Sequence, residues 1–89
     1  MSKYKKERCY TLIPSAERTF IKNQIKNIGK EVQKRRKELG YTQESLAEIL
    51  NVSTVGIRHI ERGVRAPSLQ MLLRIAKRLN LGIQFVKNS

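Results

Sequence analysis

The side chains able to do chemistry in this chain are those that recognise rather than those that break bonds. There is no aspartate, one histidine (His59) and one cysteine (Cys9). No Ser, Cys or His stands with a base and an orienting acid, as nucleophilic catalysis requires. A glycine-rich phosphate loop is missing, and so is a ligand cluster at zinc-binding spacing. Cys9 has no partner for an internal disulfide and reads as a small apolar residue or a free thiol, in keeping with a reducing cytoplasm. Neither catalysis nor a cofactor is expected. What remains is a run of neighbouring positions, Ser53, Thr54, Val55, Gly56, Arg58 and His59. They supply hydroxyls, a methyl surface, a bare stretch of backbone, a guanidinium and an imidazole, groups that hydrogen-bond and pack against a partner.

The elements that must position them span Thr42 to Gly63. Leu46, Ala47, Ile49 and Leu50 recur at helical spacing, and Val52, Ile57 and Ile60 repeat that face in a second segment. Thr42 can cap the first helix, with Ser45 rather than Glu at the third helical position, so a full capping box is not expected. Ser53 can cap the second. Asn51 falls between them, where a tight turn needs a left-handed backbone that Asn tolerates. Two short helices joined by three residues cannot run collinearly, so they must cross as a helix-turn-helix. Ile57 and Ile60 claim the inward side of the second helix, which leaves Thr54, Val55, Arg58 and His59 pointing elsewhere.

In these residues the chain resembles the Cro/phage-repressor (XRE) family of helix-turn-helix proteins. The resemblance rests on Thr42-Gln43, Leu46-Ala47, Asn51-Val52-Ser53, Ile57 and Ile60-Glu61-Arg62-Gly63, with Leu39-Gly40 before and Ala66-Pro67-Ser68-Leu69 after. It runs from about residue 28 to residue 81; the family's usual turn residue is Gly where this chain has Asn51. The resemblance implies that the second helix enters the DNA major groove by its N-terminal half. Thr54 would then hydrogen-bond a base edge or phosphate, Val55 would meet a thymine methyl, and Arg58 and His59 would reach guanine or phosphate. Gly56 would allow close backbone approach, and Ser53 would join it at the phosphates. Gln43 carries over as a phosphate contact, with Arg65 and Lys37 as further candidates. Arg36 and Glu61 carry over as a structural ion pair between the first and third helices.

Around this centre the charge is uneven. The 89 residues carry a net +12. Residues 1–38 hold twelve Lys/Arg against four Glu, residues 39–63 hold two against three, and residues 64–89 hold five against none. The proposed reading unit is nearly neutral and its flanks are basic, which fits flanking charges on phosphates and a central helix on bases. No apolar run is long enough to cross a membrane, and the charged N-terminus has no apolar core of a secretory signal.

Before the centre, residues 1–22 form a basic extension in which Tyr10–Ile13 reads as a short strand or part of a flexible arm. Ser15 can cap a helix reaching Leu39, through Phe20, Ile21, Ile25, Ile28 and Val32, with a possible break near Asn27 or Gly29. The dense run Lys34-Arg35-Arg36-Lys37 is expected to face solvent or phosphate apart from Arg36. After the centre, Ser68 caps a helix whose stripe is Leu69, Leu72, Leu73, Ala76 and Leu79, with Arg74, Lys77 and Arg78 outward and Asn80 and Gly82 at its end. Leu81, Ile83 and Phe85 alternate as a strand does. A lone strand that short needs a partner, and a second copy supplies it across a twofold axis.

The fold class expected is therefore all-α, a lambda-repressor-like bundle of about five helices with a short C-terminal β-strand pairing across a dimer. Its parts are the extension 1–22, the domain 23–80 and the tail 81–89. The implied function is a cytoplasmic, dimeric repressor on a double-stranded operator of two half-sites. Domain plus terminal strand, without a separate sensing domain, also resembles the layout of HipB-type antitoxins, which implies a HipA-like kinase toxin as partner. Alternatives are a free-standing phage-type repressor, a protein-binding module that no longer reads DNA, and a general polyanion binder.

Overall fold

Local backbone chemistry sets the boundaries of the helices. The computed structural model describes residues 13–85 and Lys87, so the expected strand or arm at Tyr10–Leu12 lies outside the described residues, and Ile13 sits at a bend. Four helices follow in order, α1 (Ser15–Glu38), α2 (Gln43–Leu50), α3 (Thr54–Arg62) and α4 (Leu69–Leu79), rather than about five. Ser53 and Ser68 accept from the backbone N–H of Gly56 and Met71 at 3.0 and 3.1 Å, closing the first turns of α3 and α4. At the head of α2 a reciprocal capping box is present after all. Ser45 N–H donates to Thr42 Oγ1, and Thr42 N–H donates to Ser45 Oγ, both at 2.9 Å. The serine hydroxyl is short but reaches, so Glu at that position is not required. Ser15 is the first helical residue of α1, whose N-cap position is Pro14. Asn51 and Asn80 adopt φ of 58° and 56° at the ends of α2 and α4. Gly82 ends nothing.

α1 runs unbroken through Asn27 and Gly29 for 24 residues, about 36 Å at 1.5 Å per residue. Gly29 is where α3 meets it. A Cβ there would lie 2.3 Å from the Ile60 carbonyl oxygen and 2.8 Å from that of Glu61. The absent side chain lets the last turn of α3 seat directly on the α1 backbone. Val32, Leu46, Ala47, Leu50, Ile57, Ile60, Ile75 and Leu79 form one core shared by all four helices, with Ile28, Tyr41, Val52, Met71 and Leu81 packed against it.

Two faces are rotated from the sequence reading. On α4 the buried line is Ile75, Ala76 and Leu79, while Leu69 and Leu73 are exposed. On α2, Ile49 is exposed beside buried Leu46 and Leu50. Periodicity marks a broad apolar stripe, and its centre is fixed only by which neighbour packs on it. Two arginines expected outward instead close helix ends. Arg35 Nε donates to the Leu79 carbonyl at 2.9 Å, and Arg74 donates to the Leu50 carbonyl. Both acceptors belong to final turns whose carbonyls have no partner within the helix. Residues 81–85 are irregular and form no strand among the described residues. Leu81 is half-buried against the core, whereas Ile83 and Phe85 are exposed.

Gly29→Ala is expected to cost about 1–3 kcal/mol in a urea melt, because the added methyl must push α1 and α3 apart. Gly82→Ala, with nothing within 4 Å of its added carbon, is expected to stay within about 0.5 kcal/mol. Equal effects at the two positions would refute the close packing.

Candidate nucleic-acid interface

Glu61 ties the presenting helix to the rest of the molecule. The carboxylate is buried, and two helices converge on it. From α1, Arg36 Nε donates to Oε2 at 2.6 Å and Nη2 donates to Oε1 at 3.1 Å, a bidentate pair. From α2, Gln43 Nε2 donates to Oε1 at 3.0 Å. The remaining arginine reach is used too, since Arg36 Nη1 donates to the Tyr41 carbonyl at 2.8 Å. Among the described residues no buried side-chain N or O lacks a partner. The network therefore satisfies itself and locks α3 in rotation and register against α1 and α2.

With Ile57, Ile60 and Glu61 turned inward, the rest of α3 faces away. At 100° per residue, Thr54, Arg58, Arg62, Val55 and His59 share an arc of roughly 140°. Val55 is half exposed at its leading end; Thr54, Arg58 and His59 are half-buried along it, and Arg62 is exposed. Arg62 was missed as a candidate although its place four residues after Arg58 puts it on the same arc. Ser53 has its hydroxyl committed as the cap, and its surface remains exposed. Gly56 is half-buried, and a Cβ on it would come 3.2 Å from Ser53 Oγ.

The candidates for backbone contact separate into two groups. Arg65 is exposed and lines a small hollow with Gly56 and Ser68, beside the capped starts of α3 and α4. Lys37 is exposed in the last turn of α1. Gln43 is half-buried at the first position of α2 and spends one amide proton on Glu61, which leaves one to offer a phosphate. The side chain it braces is Glu61. The groups on this surface are donors, cations and one methyl-rich side chain, without a carboxylate on the outward arc of α3. Such a surface accepts an anionic polymer displaying acceptor edges. Among the described residues no His, Cys, Asp or Glu group has the makings of a metal site.

A four-helix bundle presenting the second helix of a tight helical pair in this way defines a helix-turn-helix domain, and comparison with known proteins agrees. Residues 32–86 match the family model described as helix-turn-helix. The chain belongs to that family, in its Cro/phage-repressor (XRE) type. It is similar to the HTH-type transcriptional regulator ImmR of Bacillus subtilis, 30% identical over 60 residues that make up 67% of this chain and 47% of that protein. It is also 46% identical over 48 residues to an uncharacterised HTH-type transcriptional regulator of Methanothermobacter thermautotrophicus, covering 54% of this chain and 70% of that one. The chain thus spans about half the length of the Bacillus regulator.

Glu61→Ala strands the Arg36 guanidinium in the interior and is expected to cost about 3–5 kcal/mol in chemical denaturation. Arg36→Met with Glu61→Leu, which removes both charges together, should recover most of that loss. A double variant as unstable as the single one would contradict the pair as the source of the cost.

Proposed function

We propose that this chain is a sequence-specific DNA-binding transcriptional regulator acting as a repressor. The observation that carries the reading is the outward arc of α3, left open by a helix whose other side is fixed by the core and by Glu61. In this reading α3 lies in the major groove with its N-terminal half leading. Val55 packs on a thymine methyl, Thr54 and Arg58 address base edges, and His59 with Arg62 reaches a base or the strand beyond. Arg65, Lys37, Ser53, the backbone at Gly56 and the free amide proton of Gln43 hold phosphates on either side. The near-neutral centre and basic flanks divide reading from holding, so salt weakens binding strongly while sequence still decides it. The relatives' descriptions as transcriptional regulators agree with this assignment. No helix among the described residues is long and apolar enough to cross a membrane. In this reading the regulator works where the DNA is, in the cytoplasm.

Repression of this kind uses two copies on an operator of two half-sites, with centres about 34 Å apart for a spacing of one turn. A narrower version makes the chain a HipB-like antitoxin that binds a HipA-like kinase toxin and represses their shared operon. Copurification of a kinase encoded beside this chain separates it from a free-standing repressor.

Val55→Glu places a carboxylate against the groove and is expected to abolish footprint protection on the selected operator while leaving the melting curve unchanged. Arg65→Ala should weaken binding to all duplexes alike and lower the salt slope by about 1. Protection that survives Val55→Glu, or binding that depends on salt but not on sequence, would overturn the reading in favour of a general polyanion binder. Failure to select any duplex would favour a protein-binding module.

A further inference from the structure

α4 rests mainly on α1, and between it and α2 a groove of about 570 Å³ stays open. Ile49 and Leu50 form the α2 wall, and Gln70, Leu73, Arg74, Lys77 and Arg78 form the α4 wall. At 100° per residue, that wall is the half of α4 turned away from buried Ile75 and Leu79. Arg74 reaches across to the Leu50 carbonyl and ties the two walls together. Ile49 (38% exposed) and Leu73 (50%) present aliphatic surface from the two helices, and Leu69 (70%) lies one turn before Leu73. Exposed apolar side chains are ordinary when scattered; gathered at a groove they mark a contact surface.

Charge selects what fits there. Arg74, Lys77 and Arg78 are exposed along the groove, and its lining holds no carboxylate. Lys77 and Arg78 enter neither of the ion pairs found among the described residues. A phosphate backbone would match these cations but leave Ile49, Leu69 and Leu73 facing water. No residue of α3 lines the groove, nor does Gln43, Lys37 or Arg65. It is a second surface, apart from the one that faces DNA.

We infer that the α2–α4 groove docks an acidic amphipathic helix of another protein. An apolar stripe on that helix, with anchors one turn apart, packs on Ile49 and Leu73. Carboxylates flanking the stripe meet Lys77, Arg78 and the guanidinium nitrogens of Arg74 that the Leu50 carbonyl leaves over. The 11 residues of α4 extend about 16 Å, which matches three turns of the incoming helix. Burial of the aliphatic anchors supplies most of the affinity, while the exposed charges select the partner and speed its approach. With 7 carboxylates against 19 cations, this chain is a poor source of such a segment, so the occupant is a different protein. Because no residue is shared with the outward arc of α3, the groove can be filled while that arc is engaged.

The test is selection of peptides from a random displayed library on the full chain. Enriched peptides are expected to carry aliphatic or aromatic residues at i and i+4, with Asp or Glu beside them. For a synthetic enriched peptide, Leu73→Gln should raise the dissociation constant by about tenfold or more. Lys77→Gln with Arg78→Gln should raise it several-fold and flatten its salt dependence. All three positions are exposed, so circular dichroism and melting temperature should stay unchanged. A Leu73→Gln chain that loses the peptide yet keeps its operator footprint would support the proposal and show the two surfaces to be separate. Acidic peptides without apolar spacing, or peptides indifferent to Leu73→Gln, would reduce the groove to general charge attraction and overturn the proposal. Failure to enrich any peptide would overturn it too. A Lys77→Gln, Arg78→Gln chain that binds the peptide normally but all duplexes more weakly would make the groove a phosphate contact instead.

Discussion

A single buried carboxylate holds this molecule in the shape its surface requires. Glu61 accepts from Arg36 on α1 and Gln43 on α2 while standing on α3, so three helices share one anchoring point. Burying the charge without partners would cost far more than a small domain can bear. With both partners present, the cost is compensated only when the helices sit in one arrangement. Hydrophobic contact alone would hold Ile57 and Ile60 inside yet leave α3 free to roll by several degrees. The ion pair and the amide bond fix its rotation, and hence which side chains face out.

Gly29 works with that anchor from the opposite side. It brings the last turn of α3 against α1 at a distance no side chain permits, immediately beside the residue that bonds Arg36. Close backbone contact and buried charge thus coincide at one crossing. Elsewhere the ends of helices are closed by side chains from other helices: Arg35 reaches the end of α4, and Arg74 the end of α2. Each such bond converts an orphan carbonyl into a long-range tie, which suits a chain whose core comprises only a few apolar residues per helix.

Much of this was legible in the sequence because it is governed by local chemistry. Ser53, Ser68, Asn51 and Asn80 act within a turn of their own position, and their residue types announce what they do. The helix-turn-helix was legible for the same reason, its apolar faces being forced by two short helices that must cross. Quantities set by neighbours were not. Whether Leu73 or Ile75 lies at the centre of the α4 stripe depends on where α1 and α2 pack. Arg35 and Arg74 look like solvated cations until a carbonyl from a distant helix lies within reach. Gly29 reads as a breaker of helices in isolation and as a contact point once α3 is placed. The alternation at residues 81–85 suited a strand, but among the described residues nothing is placed to pair with it. Gln43 reads from the sequence as a phosphate contact, whereas its bond to Glu61 is set by how α2 and α3 pack.

The outward arc of α3 is proposed to read base pairs. Selection from a random duplex library with the wild-type chain and with Arg58→Gln tests it most directly. The wild type is expected to enrich a defined motif, and the variant one altered at a single base pair in each half-site while its melting temperature is unchanged. An identical motif from both proteins, or no enrichment from the wild type, would contradict it.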